Sequence, residues 1–199
     1  MRKIFLFLIV FLATSIFGSI GGTSSVSNQD EPVNIQDDKQ IMSTMVISTM
    51  AELLHDRQVT CMAKNIYFEA AVESTAGKLA VAQVTLNRVS SKWYPNTVCE
   101  VVYEGPTYVD SQGLQTPVRD RCQFSWYCDG KDDVPPNGRL WRSAHKLAQY
   151  VLKDNKGFPD ITDGALHYHA KYITAPSWAQ SKKVTASIDQ HIFYKSKRI

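Results

Sequence analysis

Helical and strand periodicities occupy different parts of this 199-residue chain, and that separation limits its fold more than any other feature. Apolar residues at helical spacing run over residues 59–73, 78–89 and 140–152, with a short helix predicted over 97–103. In the second of these, Leu79, Ala82, Leu86 and Val89 form one stripe while Ala80, Val81 and Val84 cover much of the rest, the pattern of a helix buried nearly all round. Short runs rich in aromatic and β-branched residues come later, at 122–127, 165–169, 183–188 and 191–195, and read as strands. Parallel βαβ units need strands and helices to alternate. Helices first and strands later predict an α+β domain, a helical body with a small antiparallel sheet.

The chain opens with a basic Met1-Arg2-Lys3, an apolar run over 4–17 and small residues at Gly18, Ser19, Gly21 and Gly22. Fourteen helical residues span about 21 Å, short of a hydrocarbon core of roughly 30 Å, so a secretory leader over residues 1–21 is favoured over a permanent anchor. The implied location is periplasmic or secreted, with the membrane met only through the leader during export. Residues 22–57 are predicted to be a flexible segment, partly helical over 41–54, where Met42, Met45 and Met50 are assigned to packing. The folded domain is placed at 58–199. Removing Arg2 and Lys3 leaves 20 basic against 19 acidic side chains, a balance that disfavours a nucleic-acid partner.

Four cysteines lie beyond the leader, and none forms a Cys-x-x-Cys pair that would suggest zinc. In an oxidising compartment they read as disulfides. Of the three possible pairings, a local Cys122–Cys128 loop with Cys61–Cys99 between two helical segments is the most economical.

Glu69 is the anomaly of the first helix. At 100° per residue it projects between Met62 and Ile66 on one side and Cys61, Phe68 and Val72 on the other, whereas Thr60, Lys64 and Ala71 take the opposite face. A carboxyl group held partly out of water keeps its proton to higher pH, as a general acid must. The competing reading is a structural carboxylate that bonds a buried arginine such as Arg88 or caps a backbone group.

Six ordered motifs then carry a resemblance: Asn65-Ile-Tyr-Phe-Glu-Ala, Leu79-Ala-Val-Ala-Gln-Val-Thr-Leu-Asn-Arg-Val, Tyr94-Pro-Asn-Thr-Val-Cys, Gln123-Phe-Ser-Trp, Gly164-Ala-Leu-His-Tyr-His and His191-Ile-Phe-Tyr. Over residues 61–195 the chain resembles the SleB-type cell wall hydrolase family, which includes spore cortex-lytic enzymes. The resemblance implies a lysozyme-like α+β fold and a lytic transglycosylase acting on peptidoglycan glycan strands. Glu69 then stands as the catalytic acid and base at the bond between N-acetylmuramic acid and N-acetylglucosamine. Where the family continues Glu-Ala-Arg-Gly-Glu, this chain has Glu69-Ala-Ala-Val-Glu73. Glu73 matches the second acid, with a structural or tuning role favoured.

Gln123 and Ser125, on one face of the predicted strand, are candidate contacts for N-acetyl and hydroxyl groups, with Trp126 facing the core. Tyr67 and Tyr168 are candidate sugar contacts, and the bland alternative for each is packing. His167 and His169 could share a zinc ion, but the remaining histidines are irregularly spaced and no His-Glu-x-x-His motif occurs, so no metal and no cofactor is assigned. A single acid suits transglycosylation, in which the muramoyl C6 hydroxyl attacks C1 and a 1,6-anhydro sugar is released. The alternatives are a hydrolytic muramidase, which needs a second carboxylate, and a noncatalytic glycan-binding module. The protein is expected to act as a monomer.

Overall fold

The computed structural model describes residues 35–153 and 159–197. The predicted leader and the start of the predicted flexible segment lie outside the described residues. The compact body is the unit Ile41–Ile199.

Helix α1 (Ile35–Ala70) merges the two helical segments expected at 41–54 and 59–73. Its side chains over 36–57 are exposed; from Val59 one face of the helix is covered, and Val59, Cys61, Met62, Ala63 and Ile66 are buried. Met42, Met45 and Met50 are 63, 61 and 54% exposed, so the expectation that they pack is corrected. Helix α2 (Thr75–Val89) is capped by the Ser74 hydroxyl, which accepts from Gly77 N, and its residues Ala80, Val81, Ala82 and Val84 are fully buried as predicted. Helix α3 (Val98–Val102) starts at Thr97, whose hydroxyl accepts from Glu100 N. Helix α4 (Arg139–Lys153) seals the same core with Ala144, Ala148 and Val151.

Both expected disulfides form. Cys61–Cys99 ties α1 to α3, and Cys122–Cys128 closes a short loop. A buried polar chain links three elements: Trp126 Nε1 donates to Asn65 Oδ1 (3.1 Å), Asn65 Nδ2 to Thr85 Oγ1 (3.0 Å) and Thr85 Oγ1 to Val81 O (3.2 Å). Each polar group in it has a partner, which makes its burial tolerable and sets the register between α1 and α2.

Strands β1 (Thr107–Val109) and β2 (Gln115–Pro117) form a small antiparallel hairpin. Strands β3 (His167–Ala170), β4 (Lys182–Ile188) and β5 (His191–Ser196) form an antiparallel sheet in the order β3-β5-β4, with a register shift between Val184 and Ala186. The class is mixed α+β, as expected. One local expectation fails. Residues 122–127 do not form a strand; Ser125–Cys128 is a 3₁₀ turn, because the Cys122–Cys128 bridge needs its ends closer than an extended strand allows. The polar stretch 105–121 holds the β1–β2 hairpin. Asp110 Oδ1 accepts from Gln112 N and Leu114 N, and Gly113 has φ +80°, so this tight Asx turn folds it into the β1–β2 hairpin.

Candidate active site

Near its C-terminal end α1 presents Phe68 and Glu69 to a cavity of about 580 Å³. The opposite walls are β3, the 3₁₀ turn region from Cys122 to Trp126, and the segment following β3. Phe68 is held by ring stacking on Trp126 at 4.6 Å, and Trp126 is anchored by its bond to Asn65. The acid-bearing turn of α1 is thereby fixed by the buried polar chain beneath it.

Tyr168 Oη donates to Glu69 Oε2 at 2.9 Å. The Tyr168 ring is positioned by Phe193 and His191, with centroids at 5.6 and 5.1 Å. Burial pushes the Glu69 carboxyl above its ordinary value. The Tyr168 hydrogen bond and the Arg88 charge oppose that rise without reversing it. Burial and the neighbouring Glu69 push the Tyr168 phenol well above 10, so it remains a donor throughout the physiological range. With Oε2 accepting from Tyr168, the proton of a neutral Glu69 belongs on Oε1.

Arg88, also on the cavity wall, is 4% exposed. Its Nε donates to Leu166 O (2.9 Å), and its guanidinium lies over the Phe124 and Tyr94 rings at 4.8 and 5.2 Å. Nη1 is buried with no hydrogen-bond partner. Among the described residues Glu69 forms no ion pair with Arg88 or any other base. The arginine-bonded form of the structural reading needed such a pair.

Of the sequence-predicted residues, Glu69, Gln123, Ser125 and Tyr168 line this one cavity. Tyr67 and Glu73 do not. Tyr67 packs edge-on against Phe68 and Trp141, at 5.1 and 6.2 Å. Glu73 lies past the end of α1, where its Oε2 accepts from Gln190 N at 3.3 Å. Trp126, expected in the core, is 7% exposed and packs there while one edge reaches the cavity.

Other lining residues fall outside the predicted substrate contacts, among them Asp129, His167 and Trp178. Asp129 spends both oxygens on Lys131, accepting from its N (2.8 Å) and Nζ (3.0 Å), and those bonds hold its carboxyl below the usual range. Burial, with the Lys182 and Arg88 charges, lowers His167 to about 4, so its ring is neutral near pH 7. His169 engages both ring nitrogens, Nδ1 with Ala170 O and Nε2 with the Tyr194 hydroxyl, each at 2.9 Å, which leaves none for a metal shared with His167.

Comparison with known proteins gives a consistent set of relatives. The chain is 28% identical to the spore cortex-lytic enzyme of Bacillus cereus over 137 residues, 69% of this chain and 44% of that protein. It is 24% identical to the spore cortex-lytic enzyme of Bacillus subtilis over 148 residues, 74% of this chain and 41% of that one. The chain thus spans less than half the length of these relatives. Among solved structures, the catalytic domain of the germination-specific lytic transglycosylase SleB from Bacillus anthracis matches with a TM-score of 0.50 and 29% identity, covering 69% of this chain and 93% of that domain. The family model described as Cell Wall Hydrolase matches residues 72–194, a segment that begins three residues after Glu69 and contains every other lining residue except Phe68. By that match the chain belongs to the cell wall hydrolase family.

Proposed function

We propose that this protein is a peptidoglycan lytic transglycosylase that cleaves the β-1,4 bond between N-acetylmuramic acid and N-acetylglucosamine, with Glu69 as general acid and then general base. The observation that carries the reading is a carboxyl group on a cavity wall, whose hold on its proton is strengthened by burial and whose Oε2 accepts a hydrogen bond from the Tyr168 phenol. In the first step the proton on Oε1 passes to the bridging oxygen as the C1–O bond breaks. The carboxylate so formed accepts the proton of the muramoyl C6 hydroxyl as that oxygen bonds to C1, and the 1,6-anhydro product leaves. The nearby Arg88 charge stabilises the intermediate carboxylate, and Tyr168 keeps it oriented. Gln123 and Ser125 supply amide and hydroxyl groups for N-acetyl and hydroxyl substituents of the strand. The family and its cell wall relatives support a site of action outside the cytoplasm.

Hydrolysis has one observation in its favour, since Asp129 is a second carboxylate on the same cavity. In a two-carboxylate mechanism it would serve as nucleophile or activate water. Both of its oxygens accept hydrogen bonds from Lys131, whereas the route through the C6 hydroxyl needs no second acid. Mass spectrometry of digested sacculi is the test. Anhydromuramoyl ends are expected; reducing muramoyl ends in their place would establish hydrolysis, and no soluble product would refute the enzyme reading.

A further inference from the structure

Between β3 and β4 the chain leaves the sheet and places Tyr172, Ile173, Pro176 and Trp178 on the wall of the Glu69 cavity. Tyr172 is 82% exposed. A single exposed aromatic is ordinary on a protein surface, but this one lines the cavity together with three other apolar residues of the same segment. The segment is held rather than loose. Lys171 N donates to Gln190 O (2.7 Å), Ile173 N to Ala170 O (3.3 Å), Ala179 N to Pro176 O (2.9 Å) and Ser181 Oγ to Trp178 O (2.8 Å).

Trp178 is fixed by three rings, with centroids 5.4 Å from Tyr194, 5.7 Å from His167 and 6.0 Å from His169. His169 is itself clamped by the Tyr194 hydroxyl and Ala170 O. The indole is therefore pre-set before any ligand arrives, and little side-chain freedom remains to be lost on binding. The adjoining His167 ring is uncharged near neutral pH, so this end of the cavity has an aromatic surface suited to a neutral ligand. A pyranose ring in the β configuration offers a face of C–H groups that packs on such rings, and an N-acetyl group adds a methyl.

We propose that Tyr172 and Trp178 form a stacking subsite that takes one N-acetylhexosamine ring of the glycan strand beside the bond at Glu69. The proposal rests on the reading that the cavity accepts peptidoglycan. It adds a role for a segment to which the acid–base chemistry assigns none: grip on the sugar rather than proton transfer.

The test uses the full chain carrying Glu69→Gln, so that ligand is bound without turnover, and the β-1,4-linked tetramer of N-acetylglucosamine as probe, with affinity read by calorimetry. Adding Tyr172→Ala should weaken binding about 10-fold, the size of a lost ring contact, while Tyr172→Phe stays within about twofold because the ring face is retained. With Glu69 intact, Tyr172→Ala should raise KM on sacculi by more than it lowers kcat, as expected for lost grip on the substrate. Trp178→Phe should weaken the tetramer less than Tyr172→Ala does, since a smaller ring remains in the same cage. Unchanged affinity in Tyr172→Ala overturns the subsite, and so does an equal loss in Tyr172→Phe, which would assign the contact to the hydroxyl. Tyr172 is exposed, so its variants test the idea even if Trp178→Phe unfolds. The two readings fail separately: cleavage that survives Glu69→Gln removes the acid, whereas an inactive Glu69→Gln protein whose affinity is unchanged by adding Tyr172→Ala removes only the subsite.

Discussion

Glu69 and Glu73 stand four residues apart, on nearly one line of the same helical reading, and meet opposite fates. Glu69 is still on α1, facing the cavity with a phenol on one oxygen. Glu73 is past the last turn, where its N bonds to Ala70 O and its Oε2 accepts from Gln190 N at the β4–β5 turn. Gly77 explains how tightly that turn is packed, since a Cβ there would collide with the Asp189 carboxylate and the Glu73 Cβ. Asp189 Oδ2 also accepts from Ser74 N, and Lys78 Nζ donates to Glu73 O. One carboxyl group is thus set against water and the other is used as a clamp. Residue type and helical spacing could not tell them apart. The end of the helix did.

The strongest way to break this contrast is Glu69→Gln. Activity should fall by about 100-fold or more, the typical size of a lost general acid, as measured by release of muropeptides. The same variant should be more stable than the parent above neutral pH. The folded carboxyl holds its proton to higher pH than the ordinary 4.5, so the folded state binds the proton more tightly than the unfolded state, and stability falls as pH rises through the raised value. A neutral amide removes that loss. Thermal melts at pH 5 and pH 8 check it, with a larger gain expected at pH 8.

Tyr168→Phe comes next, with activity reduced about 10-fold through loss of an aligned hydrogen bond. Because that bond lowers the Glu69 value, removing it should move the alkaline limb of the pH–rate profile upward. A limb that stays in place would assign the profile to another group. Asp129→Asn should change activity by no more than about threefold if the substrate supplies its own nucleophile, whereas a loss of about 100-fold would restore the two-carboxylate route. Glu73→Gln should have the smallest effect on turnover, within about twofold, and little effect on the melting temperature, since an amide oxygen can still accept from Gln190 N. If Glu73→Gln were as inactive as Glu69→Gln, the distinction between acid and clamp would collapse.

Much of the fold is legible in the sequence because its signals are local. The stripe of α2 and strands β3, β4 and β5 follow from spacing, and the presence of bridges follows from cysteine arithmetic, which leaves three pairings open. The hairpin inside 105–121 has a readable signal in Asp110 and Gly113 that the polar composition conceals. Over residues 122–127 the aromatic content suggests a strand, while the short disulfide span demands a turn, and the covalent constraint wins. Gln123 and Ser125 still reach the cavity, though by the geometry of a 3₁₀ turn and not by strand alternation. For the methionines of α1, helical spacing alone suggests packing, but spacing cannot report whether a partner surface exists.

By itself the sequence determined the segregated α+β class, an even set of cysteines suited to bridging, and a glutamate set on an apolar helix face. Each depends on residues close in the chain or on a count. Only the tertiary structure decided that Tyr168, 99 positions away, would hold that glutamate, that Arg88 would lie near it without an ion pair, and that Tyr67 and Glu73 would fall outside the cavity. A proton's affinity for a carboxyl group depends on which distant groups replace water around it, and that replacement exists only once the helices and the sheet have closed on one another.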